Sequence, residues 1–434
     1  MQIEHPLLPL TKAAFNAALR TGHGRAIQQI ENHGSRGLED TIVEACITCL
    51  SYDPQCEAAR APWLSSIVDR ANLSAEVIQA IGAIEQEPSS ENQRDFDQRS
   101  AILKELAASG SDDARRLLYF SLARVPGTAS VIGDHDIVAL DGVDGLVYVA
   151  RQLGRWLQDD PDFWVDDSLC TLFDGEIGLA GLEEAAAVDS DVASYLAEVR
   201  KARERFSGPS SRFDPTAYTA ADIVAHVKER SRDQCHWFRQ WGAQAADDQL
   251  EIVFAALLAA KDPEHAKRLF RCFAKAGVPR FDSRLLQWIY HPDVDIQRIA
   301  IKALTPVTHK ELRQAAKRLI ADGDMANGIA LLVNNFIEGD LTMCAGQLVR
   351  FENADETHNL VGHLLDLCEA HPGFEALDCL IYVYEFSPCS TCRRQAVKAL
   401  VSMNSTPSWV LEEAAFDADP ETREFVRTTC KLHV

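Results

Sequence analysis

The stretch His291–Leu304, HPDVDIQRIAIKAL, aligns without a gap on Ser387–Leu400, SPCSTCRRQAVKAL. Proline, arginine, alanine, lysine, alanine and leucine coincide at matching offsets. Looser copies are Asp262–Arg268 (DPEHAKR) and Asp417–Arg423 (DADPETR), so that arginines recur at 268, 298, 394 and 423. The separations are 30, 96 and 29, and the middle one is three times 32, which leaves room for two degenerate copies. Such a step is the length of one helical hairpin, and a repeat of this length belongs to architectures whose units bury their apolar faces only against one another.

Working outward, apolar residues at helical spacing predict helices over 248–260, 262–276, 294–304, 309–321 and 355–370. Asp-Pro, Gly-Val-Pro, Thr-Pro and Asp-Gly-Asp breaks separate them. Upstream, Val143, Leu146, Val147, Ala150, Leu153 and Leu157 form another helical stripe, opened by Asp141 and Asp144 as cap and first-turn acid. Sustained apolar/polar alternation is almost missing. Short helices with short connections lie antiparallel to their neighbours. The expected fold is all-α: an α-solenoid of antiparallel helical hairpins, with a less regular helical N-terminal part. Polar Glu85–Gln93 and the Gly/Pro/Ser-rich Ser207–Pro215 read as linkers and divide the chain into 1–85, 93–206 and 214–434.

The chain has 434 residues and a formal charge of −22, with 47% hydrophobic and 25% charged residues. These are globular values and exclude disorder as the main theme. Residues 1–215 hold 19 basic and 35 acidic side chains, net −16, against 24 and 30, net −6, for 216–434. A chain this acidic is a poor general polyanion binder and a better match for a basic partner. The first residues carry neither a basic region nor an apolar one, and the longest apolar run, Ile252–Ala260, is too short to span a bilayer. A cytoplasmic protein with no membrane contact is the expectation. Twelve cysteines are too few for a disulfide scaffold and read mainly as buried thiols.

The acidic or proline turn followed by arginine and then small and aliphatic residues resembles the HEAT family, including its short-repeat branch known from phycobilin lyases. The resemblance covers about 260–434, is faint at 111–118 and stops elsewhere. It implies stacked helical hairpins with a long concave surface. It is silent on activity, since such folds host scaffolds, lyases and DNA glycosylases.

Five constellations bear on chemistry. In SPCSTCRR, Ser387 as N-cap and Pro388 as first helical residue place Cys389 near a helix start, where free N–H groups and the arginines favour a thiolate. Packing of Cys389 and Cys392 is the first reading, followed by a zinc site and by redox or other thiol chemistry, with His363, Cys368, His371 and Cys379 as the nearest further ligands. The other CxxC, Cys46 and Cys49, sits in the helical stretch 38–50 and reads as core. Lys267, Arg268, Arg271 and Lys275 share one helix side, as do Lys310, Arg313, Lys317 and Arg318, with Arg298 and Lys302 between them. A solvated outer face balanced by Asp262, Glu264 and Glu311 is the first reading of this stripe. A groove for a polyanion, with Trp237, Trp241 and Trp288 for stacking, is the second. Gly133-Asp134-His135-Asp136 and 140–145 read as caps and turns before a cation loop. Asp159, Asp160, Asp162, Asp166 and Asp167 read as a solvated turn before a docking patch for a basic partner.

The function expected from the sequence is a non-enzymatic scaffold or adaptor that binds a protein partner through its concave face, with no cofactor required. Alternatives are a nucleic-acid-binding protein using the basic stripe and a small zinc or thiol device at Cys389 and Cys392. A lyase-like role rests on the resemblance alone.

Overall fold

A computed structural model describes residues 7–160, 162–172, 175–206, 214–229 and 233–432. The described chain is all-α, with 24 α-helices and a single sheet. That sheet is a two-stranded antiparallel ribbon pairing Ala123 with Ile132 and Arg124 with Val131. No described helix is long and apolar enough to cross a membrane.

Apolar periodicity set the helices to within a few residues: Asp247–Ala259, Val294–Leu304, Lys310–Ala321 and Ala354–Ala370. Side-chain caps explain the precision at the N-terminal ends. Asp293 accepts from the N–H groups of Asp295 and Ile296, Asn353 from those of Asp355 and Glu356, and Asp262 from that of Glu264. The helix expected over 262–276 stops at Phe270 and continues only as a short 3₁₀ turn, Arg271–Phe273. The helix expected over 143–157 belongs to a longer element, Asp134–Asp159, broken at Gly142. There φ is 64° and ψ is −133°, a conformation open to glycine and costly for other residues.

The chain divides into two compact units rather than the three segments expected. The first joins residues 6–211 to 412–434, and the second holds 212–411. The expected linker at 207–215 coincides with the chain's passage between units, although 207–213 lie outside the described residues. The expected linker at 85–93 separates nothing. Helices on either side of it, Glu39–Ile47 and Ala61–Ala71 before and Gln93–Ala108 after, pack together. One apolar cluster runs through Leu19, Ile42, Ile67, Ile102, Ile137, Leu153 and Val199.

The last repeat copy also departs from expectation, because residues 412–434 belong to the first unit. The cause is polar as well as apolar. Ala418 N–H donates to Gly22 O (2.9 Å), and the Trp63 indole donates to Phe416 O (2.8 Å). Glu413, 1% exposed, meets His23 Nδ1 (2.7 Å) and Arg25 Nε (2.9 Å), both also buried. A Cβ on Gly24 would stand 1.9 Å from the Glu413 carbonyl oxygen, so the approach requires glycine.

In the second unit Pro263–Phe270 packs on Val294–Leu304, which packs on Met325–Leu332, then Ala354–Ala370, then Ser390–Ser402. Intervening helices fill each step, as Leu377–Phe386 does against both Ala354–Ala370 and Ser390–Ser402. The principal contacts of these helices are with the next element or one a short way along, which is how an amphipathic hairpin covers its apolar stripe without a distant partner.

Breaking a buried ion pair costs about 3–5 kcal/mol, and a unit of about 200 residues loses about 2–4 °C per kcal/mol. Glu413→Ala is therefore expected to lower the melting temperature of the first unit by about 10 °C in calorimetry. The exposed Glu421→Ala on the same C-terminal segment is expected to shift it by a degree or so.

Candidate functional site

The basic stripe is the first candidate to be resolved. Arg268 is buried and donates to Val227 O (3.0 Å), and Arg271 is buried and donates to His236 Nδ1 (2.9 Å). Arg313 forms a fork on Asp340, with Nη2 2.7 Å from Oδ1, and also donates to Asn335 O (2.7 Å). Lys267 pairs with Asp295 at 3.3 Å, and the exposed Arg298 lies 4.0 Å from the same carboxylate. Lys275 and Lys317 are exposed. Arg268, Arg271 and Arg313 are thus committed to internal partners, while Arg298 and Arg318 stay exposed. Trp241 and Trp288 are buried, and Trp237 packs on Tyr218 and Phe238, so these rings serve the core.

Acidic segments that look unrelated in sequence meet in the first unit. A cavity of about 280 Å³ is lined by Asp134, His135, Phe163, Trp164, Asp166 and Tyr195, among others. Asp134 opens the long helix that starts after Gly133, Asp166 lies in the connection after it, and Tyr195 comes from the helix Ser190–Phe206. Among the described residues no lysine or arginine forms an ion pair with Asp134 or Asp166. Asp134 accepts from His135 N–H (2.7 Å) and meets His135 Nδ1 at 3.0 Å, and Asp166 accepts from Ser168 N–H (2.9 Å). The Asp134 carboxylate, through its bond to the imidazole, raises the His135 pKa. Tyr195 is 1% exposed and its hydroxyl has no hydrogen-bond partner. Burial, then the fields of Cys170, Asp166 and Asp134, hold it firmly protonated. A buried hydroxyl left unpaired costs free energy, and here it borders the cavity. Carboxylates without a strong cation, aromatic walls and an unpaired phenol together suit a cationic group with N–H donors.

Cys389 and Cys392 are both buried, as packing thiols are, and they also stand at a helix start. The helix starts at Ser390, two residues later than expected, and Cys389 is its N-cap residue. Ser387 instead braces the approach, accepting from Cys389 N–H (3.1 Å) and donating to Cys389 O (2.9 Å). In the repeat alignment Cys389 falls on Asp293, the capping carboxylate of the earlier copy. The Cys392 thiol donating to it, the N–H of Cys392, the imidazole of His358 and the N–H of Thr391 outweigh its burial and lower the Cys389 pKa to about 6. Backbone N–H groups do the same at Asp293, where that of Ile296 is the largest cause of a lowered pKa.

His358, Cys389 and Cys392 offer three ligand atoms that all lie within 4.8 Å of one another. Cys392 Sγ is 3.9 Å from His358 Nδ1. None of the four ligands anticipated from sequence takes part. His363 lies 3.8 Å from Asp366, and His371 donates from Nε2 to Val333 O (2.7 Å) while stacked on Phe336. Cys379 is buried, hydrogen-bonded with Cys368, and its pKa is pushed far up by that bond and by burial. The signal that would have found His358 is the repeat step, for it stands 34 residues before Cys392. At that offset the first turn of Ala354–Ala370 faces the first turn of Ser390–Ser402.

Two other thiol sites contrast with this one. Cys46 is buried with its pKa raised to about 12 by burial, whereas Cys49 lies beyond the helix end at Ile47. The two therefore do not share the helical face expected of them. His226, Asp233 and Cys235 also cluster, but Cys235 donates its thiol to Asp233 O (3.4 Å) and burial raises its pKa to about 11.

The thiolate absorbance of the reduced protein is expected to show a step near pH 6 that Cys389→Ser removes. Because the folded pKa lies below the unfolded one, Cys389 stabilises the fold fully above pH 9, and that contribution disappears as the pH falls through about 6. Denaturation of the wild type, compared with Cys389→Ser between pH 5 and pH 9, checks the sign.

No protein-family model, curated protein or solved structure matches this chain.

Proposed function

We propose that this chain is a non-enzymatic helical-repeat adaptor that binds a basic protein partner. The cavity of Asp134, Asp166, Trp164 and Tyr195 seats a cationic side chain of that partner. The observation that carries the reading is the cavity itself, in which two carboxylates face aromatic walls and a buried phenol with no partner. Sequence-wide charge supports it, since the half of the chain holding the cavity carries net −16. A field of that sign speeds the approach of a basic surface, and the cavity then selects its geometry. The chain of neighbour-to-neighbour helix contacts supports a HEAT-like solenoid in the second unit, and with it a scaffold role. The nucleic-acid reading loses its main residues to the internal partners of Arg268, Arg271 and Arg313.

The test is a titration of the full chain with a lysine- and arginine-rich peptide, read through tryptophan fluorescence. Asp134→Asn/Asp166→Asn is expected to weaken binding about tenfold or more, the scale of losing a charge-assisted hydrogen bond in a sheltered site. Asp247→Asn/Asp248→Asn changes the net charge equally at exposed positions of the second unit, and is expected to change affinity less than about twofold. Equal losses in the two variants would reduce the interaction to bulk charge and overturn the cavity. Retention on DNA at low salt that survives Lys275→Ala/Lys317→Ala would overturn the partner class.

A further inference from the structure

We propose that His358 Nδ1, Cys389 Sγ and Cys392 Sγ hold one zinc ion, which fastens the start of the helix Ala354–Ala370 to the start of the helix Ser390–Ser402. The geometry is close to that of a coordination sphere. Zn–S bonds of about 2.3 Å and Zn–N bonds of about 2.0–2.1 Å at tetrahedral angles require an S···N edge of about 3.6 Å. The Cys392 Sγ to His358 Nδ1 separation is 3.9 Å, and all three atoms fall within 4.8 Å of one another. Closing the Cys392–His358 edge takes a few tenths of an ångström, and closing the two edges to Cys389 takes at most about 1.2 Å.

The donor set selects the metal. Two soft sulfurs and an imidazole suit zinc, whereas magnesium and calcium require oxygen ligands. On binding, the thiol protons of Cys389 and Cys392 leave to solvent, so that two thiolates and a neutral imidazole face the ion. Three protein ligands leave one position for a water molecule. His358 lines a polar cleft of about 300 Å³ with Asn359, Asp366 and Gln395, which gives solvent access on its side of the site.

A disulfide alone does not account for the arrangement, since joining Cys389 to Cys392 gives no role to an imidazole brought in from a helix 34 residues away. The second cluster in the same unit makes a useful contrast. Around Cys235 the thiol is held protonated, and Arg268 and Arg271 lie close enough for their charges to act on it, an environment that opposes a dication.

The experiment is a Co²⁺ titration of the metal-free, reduced full chain, followed by displacement with Zn²⁺. One equivalent is expected to give intense visible bands of tetrahedral cobalt with a sulfur-to-cobalt charge-transfer band, and stoichiometric zinc is expected to bleach both. Cys392→Ser and His358→Ala are expected to weaken Co²⁺ binding by more than the ~10–100-fold that even an outer-shell change costs. Cys235→Ser and Cys49→Ser leave it unchanged. Zinc is also expected to raise the melting temperature of the wild type and not of Cys392→Ser. Circular dichroism shows whether each variant folds, and the wild-type titration stands whichever variant fails. Absence of cobalt bands in the wild type would overturn the proposal, as would bands that survive Cys392→Ser. So would formation of a Cys389–Cys392 disulfide in a glutathione buffer while added zinc stays unbound. None of these results bears on the acidic cavity, which lies in the other unit and uses none of these residues.

Discussion

No helix in this chain can cover its apolar stripe alone, and that constraint governs both units. In the second unit the solution is local, with each helix leaning on its neighbour and on one a short step further along the chain. Neighbours of this kind bring equivalent turns of successive repeats together. A helix start is where unpaired N–H groups and the positive end of the helix dipole collect, so the chemistry available at those places is that of anions. Asp293 and Cys389 stand at corresponding positions of the two aligned stretches, and backbone N–H groups favour the charged form of each. Packing sets where the thiol lies, and the Cys392 thiol, with the backbone donors behind it, lowers its pKa.

The first unit meets the same constraint by closing on itself. Its apolar cluster includes Ala418 from the C-terminal segment beside residues from the first two hundred. A short segment returning from so far along the chain carries a large loop-closure cost. Apolar contact is non-directional and cannot choose one register for it. Buried polar partners can, because a misplaced segment leaves the charges of Glu413 and Arg25 and the imidazole of His23 unmatched in a dry environment. The absence of room for a side chain at Gly24 adds a steric condition to the electrostatic one.

The legible part of the sequence was that governed by local rules. Helix positions came from apolar spacing, and the structure adds side-chain caps at Asp262, Asp293 and Asn353. What failed was inference about direction and partner. The basic stripe was drawn from spacing, which places Arg268 and Arg271 on one side of a helix but does not say whether that side faces water. Both are buried against backbone or imidazole acceptors. Nearness to Cys389 in sequence does not point to His358, because that imidazole stands 34 residues before Cys392. The cavity was illegible for a stronger reason: Asp134, Asp166 and Tyr195 come from three separate stretches, and each looks like a turn, a solvated patch or a core residue by itself.

The exchange of aspartate for cysteine at a capping position changes what a helix start can hold. A carboxylate cap and a thiolate cap satisfy similar backbone donors, so the helix loses little by the change once the thiol is ionised. Ionisation is the condition, because a neutral thiol is a weak acceptor. A thiol in a dry core holds its proton, as Cys344 does with its pKa pushed up to about 12 by burial. Cys389 is almost as buried, yet its pKa moves the other way, because the Cys392 thiol, the imidazole of His358 and two N–H groups all favour its charge. These are also the groups that would be needed if the sulfur is to serve as a ligand. A residue chosen only to cap a helix has no use for an imidazole and a second thiol beside it, and a residue chosen only to fill the core has no use for the charge. The three together are explained by one requirement, a soft anionic donor held ready at a helix start.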